Sequence, residues 1–232
     1  MLFFVWALTS GSSAALGAYV AVRFFPEAGF AQNPTGEYSV ALFAFACLIG
    51  LALAAAQYVV LRKIFLHHSR SVDAWLLSWI PATVIGVLLL ITPLYLFDAA
   101  DILRAPWLLA LIMLPGAVAL GIGQWVILRH YEIMEVAWIV RTTIGTLLGA
   151  CLGLIGAFTF FAFDTFSSPG LMEPVWAGCI GLGLGLFQGE LLSEKFTGRG
   201  APNWLIAATV IVLASILPVI LTIYFFWASW VH

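Results

Sequence analysis

Gly50-Leu-Ala-Leu-Ala54-Ala-Ala-Gln57, Ala117-Val-Ala-Leu-Gly121-Ile-Gly-Gln124 and Gly181-Leu-Gly-Leu-Gly185-Leu-Phe-Gln188 are one pattern written three times. It reads small residue, three residues, small residue, two residues, glutamine. Each copy lies in an apolar stretch long enough to cross a bilayer, and a second such stretch follows each. A spanning helix needs about 20 mostly apolar residues. Seven runs meet that length, near Leu2–Val22, Val40–Leu61, Ala74–Phe97, Pro106–Leu128, Ala137–Phe163, Val175–Leu192 and Trp204–Val231. Their apolar character is continuous rather than alternating. In lipid that selects helices over a barrel, because a helix satisfies its own backbone polar groups.

Composition excludes a soluble fold. The chain is 63% hydrophobic and 9% charged over 232 residues, with a mean hydropathy of +1.09. A soluble domain of that length needs far more polar surface. The connections are too short to fold alone, so one domain spans 1–232. A net charge of −2 implies no nucleic-acid partner. The first helix lacks a basic leader and a cleavage site, and is expected to be retained. Cys47, Cys151 and Cys179 all fall inside expected helices and fit no metal spacing.

Orientation follows from the basic residues. Alternate connections place Arg62, Lys63, Arg70, Arg129, Arg141, Lys195 and Arg199 on one side, and Arg23 and Arg104 on the other. Positive-inside bias puts the N-terminus in the cytoplasm and the C-terminus outside. The first helix of the chain and the second of each unit share a Trp-led frame: Trp6 with Ser13 and Gly17, Trp75 with Ala82 and Gly86, Trp138 with Gly145 and Gly149, and Trp204 with Ile211 and Ser215. The expected fold is therefore an all-α membrane bundle of three and a half parallel hairpin repeats. The half repeat covers 1–38, and the hairpins cover 39–104, 105–174 and 175–232.

Positions i, i+4 and i+7 share a helix face. Small residues there let backbones approach closely, which is how helices associate in lipid. The stripe residues are Gly50, Ala54, Gln57, Ala117, Gly121, Gln124, Gly181, Gly185 and Gln188. The fifth helix adds Gly145, Gly149 and Gly153, and the sixth extends to Gly189. These two helices are expected to make the tightest contact, with each glutamine set against a neighbour's backbone. A polar track for solute is the competing reading. It is disfavoured because Gln57 and Gln124 lie five residues before Arg62 and Arg129. That is about 8 Å from the membrane boundary, whereas transport sites sit near the midplane. The apolar runs also carry no ionisable group at mid-depth, where ion coupling would need one.

Arg62, Arg129, Arg141 and Glu190 form an expected cytoplasmic charge cluster, with Arg141 or Arg129 pairing to Glu190. Either it fixes helix depth by snorkelling, or it holds an anionic headgroup or an acidic patch of a partner. Glu190 reads as the most buried charge. His67, His68, His130 and His232 all lie outside membrane depth, so no haem ligand is expected. The Asp98–Asp101 pair is a weak cation candidate. Ser12 and Ser13 have no membrane-depth base to activate them, and no catalytic motif occurs. No enzyme activity and no cofactor or metal are expected.

The runs Gln57-Tyr-Val-Val-Leu-Arg62 and Gln124-Trp-Val-Ile-Leu-Arg129 resemble bacterial polytopic membrane proteins with repeated Gly-x-x-Gln-Trp-x-x-Leu-Arg hairpins, which carry no assigned function. The resemblance covers the second through fifth helices. Gln188 departs from it, being followed by Gly-Glu-Leu-Leu-Ser. It implies hairpin organisation and no chemistry. Two functional classes are expected. One is a structural or accessory subunit of a larger membrane assembly, with membrane lipid and other membrane subunits as partners and lipid or pigment held between helices. The other is a channel for a small neutral solute. The host would be a bacterial-type inner membrane or a photosynthetic membrane.

Overall fold

The computed structural model describes residues 2–25, 39–67, 74–93, 106–131, 135–162 and 172–198. Every regular element among them is helical: α1 (Leu2–Phe24), α2 (Ser39–His67), α3 (Ala74–Leu77), α4 (Trp79–Ile91), α5 (Pro106–His130), α6 (Ala137–Ala162) and α7 (Met172–Thr197). Five of these, α1, α2, α5, α6 and α7, contain apolar spans of 20 to 25 residues, long enough to cross a membrane. That is the pattern of a multi-pass membrane protein. The expected seventh span, with Trp204, Ile211 and Ser215, lies outside the described residues, as do Asp98, Asp101, His68 and His232.

The expected run Ala74–Phe97 is split. A turn at Ser78 separates α3 from α4, and Ser78 N–H bonds Trp75 O at 3.0 Å rather than continuing the helix. Pro81 explains the position. Its ring collides with the carbonyl four residues back, at Leu77, and it has no N–H to offer. Pro115, by contrast, sits inside α5 without ending it.

The helices close into a ring. Each of α1, α2, α4, α5, α6 and α7 packs against the next, and α7 packs back on α1. The exterior is apolar: Leu8, Phe43, Ile85 and Leu111 are all more than half exposed. Such a surface suits lipid contact rather than water. Polar side chains turn inward instead, with Ser10, Gln57, Thr83, Gln124, Thr142 and Gln188 all 0% exposed.

Helix approach is set by small residues. A Cβ on Gly50 would meet Val84 and Val87 of α4, one on Gly121 would meet Ile139 and Thr142 of α6, and one on Gly185 would meet Ala7 and Ser10 of α1. The stripe of each glutamine-bearing helix thus faces the next helix around the ring. The α6 stripe faces α7: Gly145 abuts Gly183, Gly149 abuts Cys179 and Ile180, and Gly153 abuts Trp176. One expectation is corrected here. Gly181, Gly185 and Gly189 do not face α6. They pack on Ser10, Ala7 and Phe3 of α1, and Gly183 supplies the α6 contact. Two residues turn a helix by roughly 200°, so 181 and 183 serve opposite faces.

Candidate functional site: the buried glutamine–tryptophan core

The three glutamines meet. Gln188 Nε2 donates to Gln124 Oε1 at 2.6 Å, and Gln124 Nε2 donates to Gln57 Oε1 at 3.4 Å. Each also donates to a hydroxyl on the helix preceding it in the chain. Gln57 reaches Ser10 Oγ at 2.9 Å, Gln124 reaches Thr83 Oγ1 at 3.1 Å, and Gln188 reaches Thr142 Oγ1 at 2.9 Å. The expectation that the amides lie against neighbouring backbone is therefore corrected. Their partners are side chains, because three inward-pointing amides at one level reach each other before any backbone carbonyl freed from its own helix.

Tryptophans close the layer. Trp79 Nε1 donates to Gln57 Oε1 at 3.3 Å, and Trp6 Nε1 donates to Gln188 Oε1 at 3.2 Å. The Trp6 and Trp79 rings meet edge to face at 6.2 Å, and Trp79 and Trp138 do the same at 6.2 Å. All three rings are fully buried. Trp79, not Trp75, therefore stands level with Trp6 and Trp138. Trp75 lies one turn away on the surface, its ring 5.3 Å from His130. Trp138 Nε1 is buried and makes no hydrogen bond.

Two sequence signals for this core lie beside the glutamine stripe. The first is Trp followed four residues later by a hydroxyl: Trp6/Ser10, Trp79/Thr83 and Trp138/Thr142. The second is leucine one turn to either side of each glutamine: Leu53 and Leu61, Leu120 and Leu128, Leu184 and Leu192, all buried. The amide layer is thus sandwiched between apolar layers. Burying an amide in such surroundings is costly unless it is paired, and here each amide has at least two partners.

The charge cluster is partly assembled. Arg141 forms an ion pair with Glu190, and Lys195 pairs with Glu135 at 3.6 Å. Arg129 lies over the Trp125 ring at 5.0 Å and forms no ion pair with Glu190. Arg62 is exposed and joins none of them. Glu190 is not the most buried acid: Glu173, in the first turn of α7, is 3% exposed. A carboxylate there faces the positive end of the helix dipole. Ser12 and Ser13 bond carbonyls of their own helix, Leu8 O at 2.7 Å and Ser10 O at 3.2 Å. The cysteines are free thiols, each half-buried. Among the described residues no group of three His, Cys, Asp or Glu side chains could hold a metal.

Comparison with protein-family models, with characterised proteins and with solved structures finds no match to this chain.

Proposed function

We propose that the protein is a non-catalytic integral membrane protein acting as a structural or accessory subunit of a larger membrane assembly. One observation carries this reading: the ring axis is filled. Gln57, Gln124 and Gln188 bond across it, with Trp6, Trp79 and Trp138 stacked beside them and all six fully buried. A path for solute along that axis would have to break those bonds. The apolar outer faces are what remains for contact, with lipid and with other membrane subunits.

The same relations support an internal repeat, in a different phase from the sequence expectation. The unit is a Trp-x-x-x-Ser/Thr helix followed by a Leu-x-x-x-Gln-x-x-x-Leu helix: α1 with α2, α4 with α5, and α6 with α7. Each unit presents small residues to the next, and the third returns to the first. We read the glutamine-proximal end as cytoplasmic, since it bears Arg62, Lys63, Arg129, Arg141 and Lys195. The chain then starts in the cytoplasm, and a seventh span at Trp204–Val231 would end outside. The membrane would be a bacterial-type inner or photosynthetic one.

Purification from the native membrane in mild detergent tests the proposal. A reproducible larger assembly, together with liposomes no leakier to neutral solutes than empty ones, is expected. A lone particle whose liposome flux falls in Gln124→Leu would overturn it in favour of a channel.

A further inference from the structure

We infer that the glutamine layer binds one structural water molecule, which accepts the indole N–H of Trp138 and donates to the side-chain oxygens of Gln124 and Gln188. The inference concerns the inside of the ring and does not rest on the subunit reading.

Donors and acceptors around the layer nearly balance. Gln57 Oε1 accepts from both the tryptophan and the glutamine of the following unit, Trp79 Nε1 at 3.3 Å and Gln124 Nε2 at 3.4 Å. The other two glutamine oxygens are each one donor short of that pattern. Gln124 Oε1 accepts from Gln188 but not from Trp138, and Gln188 Oε1 accepts from Trp6 but not from Gln57. The layer thus holds two carbonyl oxygens with a lone pair to spare and, in Trp138, a fully buried N–H with no protein acceptor.

These groups lie together. Gln188 Nε2 donates to Gln124 Oε1 at 2.6 Å. Adding the width of the Gln188 amide itself, the two glutamine oxygens are at most about 5 Å apart. One water spans that distance with two O–H bonds of about 2.8 Å. Trp138 stands one turn before Thr142, which accepts from the same Gln188 amide at 2.9 Å. Trp6 stands in the same relation to Ser10, and Trp79 to Thr83, and both of those indoles reach a glutamine oxygen directly.

A ligand for this place must be small, accept once and donate twice. Water does so, and buried waters typically make about three hydrogen bonds to polar groups that would otherwise be unpaired. Leu53, Leu120 and Leu184 on one side and Leu61, Leu128 and Leu192 on the other are all buried. They close the layer off, so the water is isolated rather than one of a file. Removing the Trp138 indole also frees the water, which keeps the cost of Trp138→Phe below that of Trp79→Phe.

The test is NMR of the full chain in detergent micelles with isotope-labelled tryptophan, the indole signals being assigned from Trp6→Phe, Trp79→Phe and Trp138→Phe. The Trp138 indole proton should show a nuclear Overhauser cross-peak to water several times stronger than those of Trp6 and Trp79. Its sign should be that of a water held longer than the micelle tumbles. A hydroxyl stands one turn from each of the three indoles, so relay through hydroxyl exchange would appear at all of them. Absence of the Trp138 cross-peak overturns the site and means that the indole bonds a glutamine directly. Equal cross-peaks at all three indoles overturn it in favour of a hydrated axis, and only that result also counts against the subunit reading.

Discussion

Gln188 Nε2 donates to Gln124 Oε1 at 2.6 Å, and the bond joins α7 to α5 across α6, which lies between them in the ring. Gln124 then joins α5 to α2 across α4. These bonds run through the centre, where neighbour-to-neighbour packing does not reach. Gln124 is the middle link, bonded to Gln188, Gln57 and Thr83. Gln124→Leu should lower stability by about 1–3 kcal/mol, since it strands buried donors and acceptors on its partners. Replacing all three glutamines by leucine removes both sides of each glutamine–glutamine bond. Thermal unfolding in detergent should show the triple variant less damaged than the sum of the single ones. Simple additivity would mean that the amides act independently.

Glycine positions should divide sharply by what lies beyond them. A methyl on Gly181 would run into Ser10 O and Ala14 Cβ of α1. On Gly156 it would meet only Val175 Cγ1 at 3.6 Å, an ordinary contact. Gly181→Ala should therefore cost about 1–3 kcal/mol through overpacking. Gly156→Ala should be neutral or gain up to about 1 kcal/mol from helix propensity. Thermal unfolding of the two variants side by side decides it, and equal effects would rule out close approach of α1 and α7 as the origin.

The helical membrane architecture was legible because apolar runs of bilayer length have few alternatives. The glutamine stripe was legible because its spacing repeats. Its partners were not. Trp75 and Trp79 lie one helical turn apart and look alike in sequence, yet Trp75 is 43% exposed and Trp79 is fully buried. Only the turn at Ser78, positioned by Pro81, separates them. Likewise, Gly181 and Gly183 are both glycines in one rich run, and the sequence does not mark that they serve α1 and α6 respectively. A small residue announces a close contact without naming its partner. The leucines flanking each glutamine were hidden because leucine is common in every lipid-facing helix.

The Arg141–Glu190 pair is partly exposed, with side-chain accessibilities of 31% and 16%. Its contribution is set by charge rather than shape, so exchanging the two residues should restore what single changes lose. Glu190→Gln should destabilise by no more than about 1 kcal/mol, less at high salt. The combined Arg141→Glu/Glu190→Arg variant should recover most of that loss. Unfolding midpoints at low and high ionic strength measure both effects, and absence of recovery would show that Arg141 acts through packing of its stem.

Trp138 offers the finest test of the core. Trp6 and Trp79 each give their indole N–H to a glutamine, whereas buried Trp138 Nε1 donates to no protein atom. Replacing tryptophan by phenylalanine removes similar volume at all three positions, so the packing loss is nearly common to them. What differs is the hydrogen bond. Trp79→Phe leaves Gln57 Oε1 with one donor fewer, and should cost about 1 kcal/mol more than Trp138→Phe. Trp138→Phe also removes a buried donor, which offsets part of its cavity cost. Unfolding midpoints of the two variants, measured in the same detergent, give the difference directly. If Trp138→Phe proved the more damaging, its indole N–H would have to be engaged by a group other than the glutamine layer.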